Sequence, residues 1–284
     1  MVITRRCFLE RAAGAVLSGA ALTGAGPLAA RYSGGIEKIG LQLYTLRNEM
    51  EKDFEGTLDK VSAIGYREVE FAGYFGRTPR QVKAALSHSG LSAPSSHVSL
   101  QAMRSDWSKA LESARMIGHR YLVLAYLLPD ERKSLDDYKK LAELMGKAGE
   151  DCRRAGLQFA YHNHDFEFQP LEGVVPYDLL LKETDPKLVK LELDLYWIAK
   201  AGQEPAKYFA MYPKRFELFH VKDMDKTPKK HFTEVGRGVI DFKRIFAQSK
   251  QSGVKHYFVE QDETPGSPFD SIKVSYDYLK QMKF

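Results

Sequence analysis

The sequence predicts an α/β protein, a single (β/α)8 TIM barrel built from residues 31–284. Three observations predict it. From residue 36 onward, short apolar stretches alternate with amphipathic ones eight times in order. Several amphipathic stretches finish at a glycine just before the next apolar run, where a helix ends and the chain reverses. No Pro-, Gly- or Ser-rich linker divides the chain, and eight consecutive βα units in about 250 residues match the size of one barrel.

Taken in order, the first apolar stretch, 36–46, reads as a strand, and helix 53–64 behind it closes at Ile64-Gly65. Strand 66–71 leads to helix 79–89, closed by Ser89-Gly90, and strand 91–98 leads to helix 106–118. Strand 121–125 precedes the longest helix, 134–155, which ends at Ala155-Gly156. Strands 157–164, 188–195 and 216–222 are followed by helices 176–184, 204–211 and 241–252, the last closed by Ser252-Gly253. Strand 255–261 and helix 268–282 complete the eighth unit. A doubly wound open sheet is the alternative, and the absence of a glycine-rich phosphate loop after the first strand argues against it.

Composition narrows the function classes. Of 284 residues, 44% are hydrophobic and 12% aromatic, which excludes a disordered chain. Thr4-Arg5-Arg6-Cys7-Phe8-Leu9 precedes an Ala- and Gly-rich apolar run and small residues at Leu28-Ala29-Ala30, the pattern of a twin-arginine signal peptide over 1–30. The expected location is therefore periplasmic or extracellular, by a route that exports folded, cofactor-loaded proteins. Residues 1–30 carry Arg5, Arg6 and Arg11 against Glu10, so of the net charge of +5 only +3 belongs to the remainder. That balance is unlike a nucleic-acid-binding footprint. Cys152 is the one cysteine beyond residue 30, which excludes an intramolecular disulfide and a thiolate metal site there. No later stretch is apolar enough to span a membrane.

Barrel enzymes place their chemistry at the C-terminal ends of strands. Four of the last five strand ends carry metal-binding residue types: Tyr161-His162-Asn163-His164-Asp165, Glu192-Leu193-Asp194, His220-Val221-Lys222-Asp223 and Glu260-Gln261-Asp262. Alternate strand residues share a face, so His162 with His164, His220 with Lys222, and Glu68 with Glu70 point together, and His97 ends strand three. Imidazoles and carboxylates without thiolates suit Mn, Zn, Co or a related divalent ion. One such residue alone is more often structural: Lys222 would then only neutralise Glu192 or Asp223, Trp197 would be core, and Arg237 solvated. Their concurrence on neighbouring strands points to a metal, because buried acids and imidazoles need a charge partner.

With these residues in place, the sequence resembles the sugar phosphate isomerase/epimerase family of xylose-isomerase-like barrels. The resemblance runs from Ile36 to the end and rests on Gly40-Leu41-Gln42-Leu43-Tyr44-Thr45-Leu46, Tyr161-His162-Asn163-His164, Leu191-Glu192-Leu193-Asp194, His220-Val221-Lys222-Asp223 and Gly236-Arg237-Gly238-Val239-Ile240-Asp241-Phe242. It implies a divalent metal (Mn, Zn, Co or Mg) held by His162, Asp194, His220 and Glu260. Two departures separate the chain from ketose epimerases. His162 replaces a Glu that serves there as one of two opposed bases, and Trp197 stands where a His is usual. The Tyr-His-x-His strand is similar to the inosose dehydratase branch, which implies a lyase that removes a proton beside a ketone and expels a β-substituent. On that reading His164 is the base, with Glu260 the alternative, and Lys222 or His97 protonates the leaving oxygen or holds hydroxyls. Glu70, Trp197 and Arg237 would contact the sugar. The expected substrate is an unphosphorylated 3-keto-glycoside, made by a partner oxidoreductase, with no nucleic-acid or membrane partner. A sugar isomerase or epimerase and a non-catalytic periplasmic sugar-binding barrel are the alternatives.

Overall fold

A computed structural model describes residues 34–284; the expected leader over 1–30 lies outside them. The eight-unit expectation is met. Strands β1 (Ile39–Gln42), β2 (Glu68–Phe71), β3 (Ser92–Val98), β4 (Tyr121–Leu124), β5 (Gln158–His162), β6 (Val189–Asp194) and β7 (Phe216–Val221) pair in parallel in sequence order. A two-stranded antiparallel ribbon, β8 (Asp223–Met224) with β9 (Phe232–Thr233), leaves the end of β7, and β10 (His256–Val259) closes the barrel between β7 and β1.

The periodicity of the sequence explains two separate cores. Outward strand residues such as Leu41, Val69, Phe159, Leu193 and Phe219 join the helices in one large apolar layer. Inward residues Tyr121, Val123, Ala160, Leu218 and Phe258 fill the barrel's own interior. Above that interior plug the inward positions turn polar, which makes the C-terminal mouth the place where charge collects. The glycine junctions behave as expected. Gly65, Gly90, Gly156 and Gly253 all have positive φ, and at Gly253 (φ 88°) an added Cβ would also meet the Lys214 backbone at 2.7 Å.

The strands stop short of their expected ends for identifiable reasons. The first ends at Gln42, whose Oε1 accepts the Tyr44 N–H and starts a 3-10 turn over Leu43–Leu46. The fifth ends at His162, because Glu167 accepts the His164 N–H at 2.8 Å and pulls the chain into a turn. The expected helix 241–252 is broken into Phe242–Phe246 and Ser249–Ser252. Short helices that periodicity did not signal, Arg47–Lys52, Leu100–Ser105 and Leu195–Lys200, follow strand ends around the mouth. No described helix is long and apolar enough to cross a membrane.

Candidate metal centre

The strand ends bring His162, Asp194, His220 and Glu260 together, with one ligand atom from each within 4.8 Å of the others, all buried. Each imidazole has its two nitrogens in different jobs. His220 donates Nε2–H to Glu70 Oε2 at 2.6 Å, while its Nδ1 faces Glu260 Oε2 at 2.9 Å and Asp194 Oδ2 at 3.9 Å. His162 pairs Nδ1 with Glu192 Oε2 at 3.0 Å, leaving Nε2 3.8 Å from Asp194 Oδ2. Asp194 divides its carboxylate likewise: Oδ1 accepts the Tyr196 and Trp197 N–H groups, and buried Oδ2 accepts no hydrogen bond. A buried carboxylate oxygen that accepts no hydrogen bond, faces two imidazole nitrogens and has the Lys222 ammonium 3.1 Å away, with each imidazole oriented by a carboxylate behind it, is a donor set that suits a divalent metal. The residues therefore fit the metal that their types implied.

Glu70 and Glu192 form a layer behind the ligands. Glu70 accepts from Gln42 Nε2 at 2.7 Å, from the Ser95 hydroxyl and from His220, so it orients a ligand from a buried position. It is absent from the cavity lining. His97 bridges the two acids, its Nε2 lying 2.7 Å from Glu192 and 3.2 Å from Glu70, and one side of it reaches the cavity. The supporting roles of Glu192, Gln42 and Ser95 went unread in the sequence. For Glu192 the signal was its two-residue spacing from Asp194, which puts both on one face.

The local charges follow from burial opposed by pairing. Burial raises Asp194 to about 6 against the pull of Lys222 and His220. Burial raises Glu192 to about 7, with Glu70 adding and the imidazoles opposing. Burial works against His97, His220 and Lys222 as cations, yet neighbouring carboxylates win at each, carrying His97 to about 10 and the other two well above their usual values. Glu70 and Glu260 are held low despite burial, Glu70 by His97 and His220, Glu260 by Lys222 and His220. Lys222 Nζ sits among Glu260 (2.6 Å), Asp262 (2.7 Å) and Asp194 (3.1 Å). Asp262, named at the end of the last strand without a role of its own, thus joins the site as a partner of Lys222.

Beside the cluster opens a cavity of about 800 Å³ lined by His97, His162, His164, Trp197, Lys222 and Glu260 among others. His164 packs edge-on to His162 (ring centroids 5.0 Å apart) and parallel to Phe166. Its Nδ1 is buried without a partner, and burial, helped by Lys222, lowers it to about 3, so it stands as neutral imidazole. Trp197 lies 5.2 Å from His164, with Lys222 Nζ 5.6 Å from its ring. Arg237 stands apart: its side chain is 60% exposed, lies 3.4 Å from Glu234 and does not line the cavity. The glycines around it have a different use. Asp223 accepts N–H bonds from Gly236, Gly238 and Ile240, and a Cβ on Gly238 would meet Asp223 Oδ1 at 2.2 Å. The Gly-Arg-Gly motif thus lets the loop after β7 wrap a buried carboxylate.

The family profile described as xylose isomerase-like TIM barrel matches residues 58–282. The chain belongs to that family. Among its relatives, an inosose dehydratase of Lacticaseibacillus casei is 25% identical over 268 residues, covering 81% of this chain and 89% of the relative. An inosose dehydratase of Geobacillus thermodenitrificans is 23% identical with similar coverage. A solved sugar phosphate isomerase/epimerase of Parabacteroides distasonis is 29% identical and superposes with a TM-score of 0.73 over 91% of this chain and 97% of that one. The IOLI protein, solved with a bound zinc atom, shares the fold at 12% identity, with a TM-score of 0.67 over 84% of this chain and 95% of that one. The chain is accordingly a distant relative of inosose dehydratases, an enzyme of the sugar isomerase/epimerase family with a buried cluster suited to a metal.

Proposed function

We propose that the protein is an exported, divalent-metal-dependent lyase that eliminates the aglycone from an unphosphorylated 3-keto-glycoside. The observation that carries this reading is the pairing of unlike groups at the cavity floor. The imidazole of His164 and the ammonium of Lys222 line the same cavity, where two opposed carboxylates would be needed to remove and return a proton on both faces of one carbon. His162, Asp194, His220 and Glu260 would hold the metal, which supplies, when bound, positive charge that acidifies the proton beside a ketone.

His164 takes the proton from C2, next to the C3 ketone, as a weak base lowered to about 3 by burial, so the step relies on the acidity of that proton. The electron pair forms the C1–C2 double bond as the C1–O bond breaks, and the proton ends on the departing oxygen, giving an alcohol and an unsaturated ketone. Lys222, fixed by three carboxylates, stabilises the negative charge that develops on oxygen. Trp197 offers an apolar face to the sugar. A neutral sugar suits the cavity better than a phosphate ester. Lys222 is already engaged, and Arg132 is spent on the Leu127 carbonyl and on the Phe166 ring, 3.6 Å from its centroid. The inosose dehydratase relatives support a dehydratase-type step, and the zinc of the IOLI protein supports a metal. Export rests on Arg5-Arg6 and the apolar run behind them; Arg5→Lys with Arg6→Lys should leave the protein in the cytoplasm on cell fractionation. An oxidoreductase that makes the C3 ketone must act first.

Mass spectrometry of products tests the reaction. Free aglycone and an unsaturated ketone from a 3-keto-glucoside are the expected result. A product of unchanged mass from that substrate would replace the lyase with the isomerase or epimerase that the Parabacteroides relative's name suggests.

A further inference from the structure

The cavity is larger than one sugar ring requires, and its two sides differ in chemistry. At about 800 Å³ it lies in the upper part of the range of pockets that enclose drug-sized ligands. One side is the charged floor already described. The other is built by the loops after β3, β4 and β5, which contribute Leu100, Tyr126, Leu128 and Phe166. Tyr126 and Leu128 keep 40% and 59% of their surface exposed although their neighbour Leu127 is fully buried.

Two charged groups on that wall, Arg132 and Glu131, are engaged within the protein. Arg132 lies flat on Phe166 and donates to the Leu127 carbonyl. Glu131 accepts the Leu128 N–H at 2.8 Å and Arg104 Nη1 at 3.1 Å. Beside the polar side chains of Ser99, Gln101 and Asp165, the wall offers a ligand the aromatic and aliphatic surface of Leu100, Tyr126, Leu128 and Phe166, which is worth covering with an apolar group. The wall is also continuous with the reacting end. The Tyr126 ring stands edge-on to both His164 and Phe166, with centroids 4.8 Å and 5.6 Å away, so it joins the base to the apolar face.

We propose that Tyr126, Leu128 and Phe166 form a subsite for the aglycone, selecting glycosides whose leaving group is a planar aromatic or similarly bulky apolar alcohol. This rests on the lyase reading for the meaning of the bound group, but the subsite is defined by binding and is testable without turnover. A sugar ring held over the floor by the charged residues directs its C1 substituent towards this wall.

The test is calorimetric binding of unoxidised, unreactive glycosides to the full chain: phenyl and methyl glucopyranosides, each as both anomers. For one anomer, the phenyl glycoside is expected to bind about tenfold more tightly than the methyl one, equivalent to about 1.4 kcal/mol. Tyr126→Ala and Leu128→Ser, both at exposed positions, should reduce that advantage to threefold or less and leave methyl glycoside binding unchanged. Equal affinities for the two glycosides, an advantage that survives both substitutions, or no binding of either glycoside would each overturn the subsite. The lyase reading fails separately. Discrimination by aglycone without release of aglycone from the 3-keto compounds keeps the subsite and removes the reaction. Aglycone release without discrimination does the reverse.

Discussion

Glu167 couples stability to pH at the turn that carries His164. It is fully buried, accepts the Tyr161 hydroxyl at 2.6 Å and the His164 N–H at 2.8 Å, and burial raises it from 4.5 to about 7 despite those hydrogen bonds. Below pH 4.5 both folded and unfolded chains hold this proton. Between 4.5 and about 7 the unfolded chain releases a proton that the folded chain keeps, so stability falls as pH rises through that window and levels off above it. The difference corresponds to about 3 kcal/mol. Glu167→Gln mimics the protonated form and cannot ionise. Urea unfolding of both proteins at pH 4.5 and pH 8 should show wild type losing about 3 kcal/mol relative to the variant between the two values. At pH 4.5, where wild-type Glu167 is protonated, the variant is expected to be the less stable by about 1 kcal/mol, since an amide has one acceptor for the two donors, and by pH 8 the order reverses. A wild-type-to-variant difference that stays constant from pH 4.5 to pH 8 would mean that Glu167 does not titrate differently in the folded and unfolded chains.

Three further outcomes follow from named contacts. His119 donates Nδ1–H to the Ala93 carbonyl and faces the Tyr74 hydroxyl, and burial lowers it to about 4; stability should therefore fall by about 3 kcal/mol as pH drops from 6.5 towards 4, and His119→Gln should remove that part of the acid slope in urea midpoints. Glu192→Gln weakens the support of His162 and His97 and should lower divalent-metal affinity by about 10- to 100-fold in competition with a fluorescent chelator, while far-UV circular dichroism stays unchanged. Asp223→Ala strips the acceptor from the Met224, Gly236, Gly238 and Ile240 N–H groups and should cost about 2–3 kcal/mol, read as a lower thermal midpoint and faster amide exchange in the loop after β7.

The barrel was legible because each βα unit repeats the same physics: an apolar strand, an amphipathic helix and a glycine where the helix must end. The four ligand-type residues were legible too, since a strand end at the mouth of a barrel leaves little choice of direction for His162, Asp194, His220 and Glu260. Depth along the barrel axis was not. Glu70 reads as another mouth residue, yet the stagger of β2 against β1 and β3 sets it behind His220, where it orients the imidazole. Loop destinations were equally hidden. The aromatics of Tyr74-Phe75 and Tyr126-Leu127-Leu128 look alike in sequence, but Tyr74 and Phe75 pack on Phe71 and Phe54 while Tyr126 and Leu128 face the cavity. Arg237 illustrates the same point: its flanking glycines serve Asp223, and its own side chain turns to solvent.

The central claim is that His162, Asp194, His220 and Glu260 hold a divalent metal on which turnover depends. It is tested most directly by metal analysis of the purified protein and of His220→Ala, paired with product assays on a 3-keto-glucoside. About one divalent ion per wild-type chain with aglycone release is expected, with loss of both in a variant that remains folded. Full activity in metal-free His220→Ala, or wild-type protein that neither retains a divalent ion nor responds to one, would contradict it.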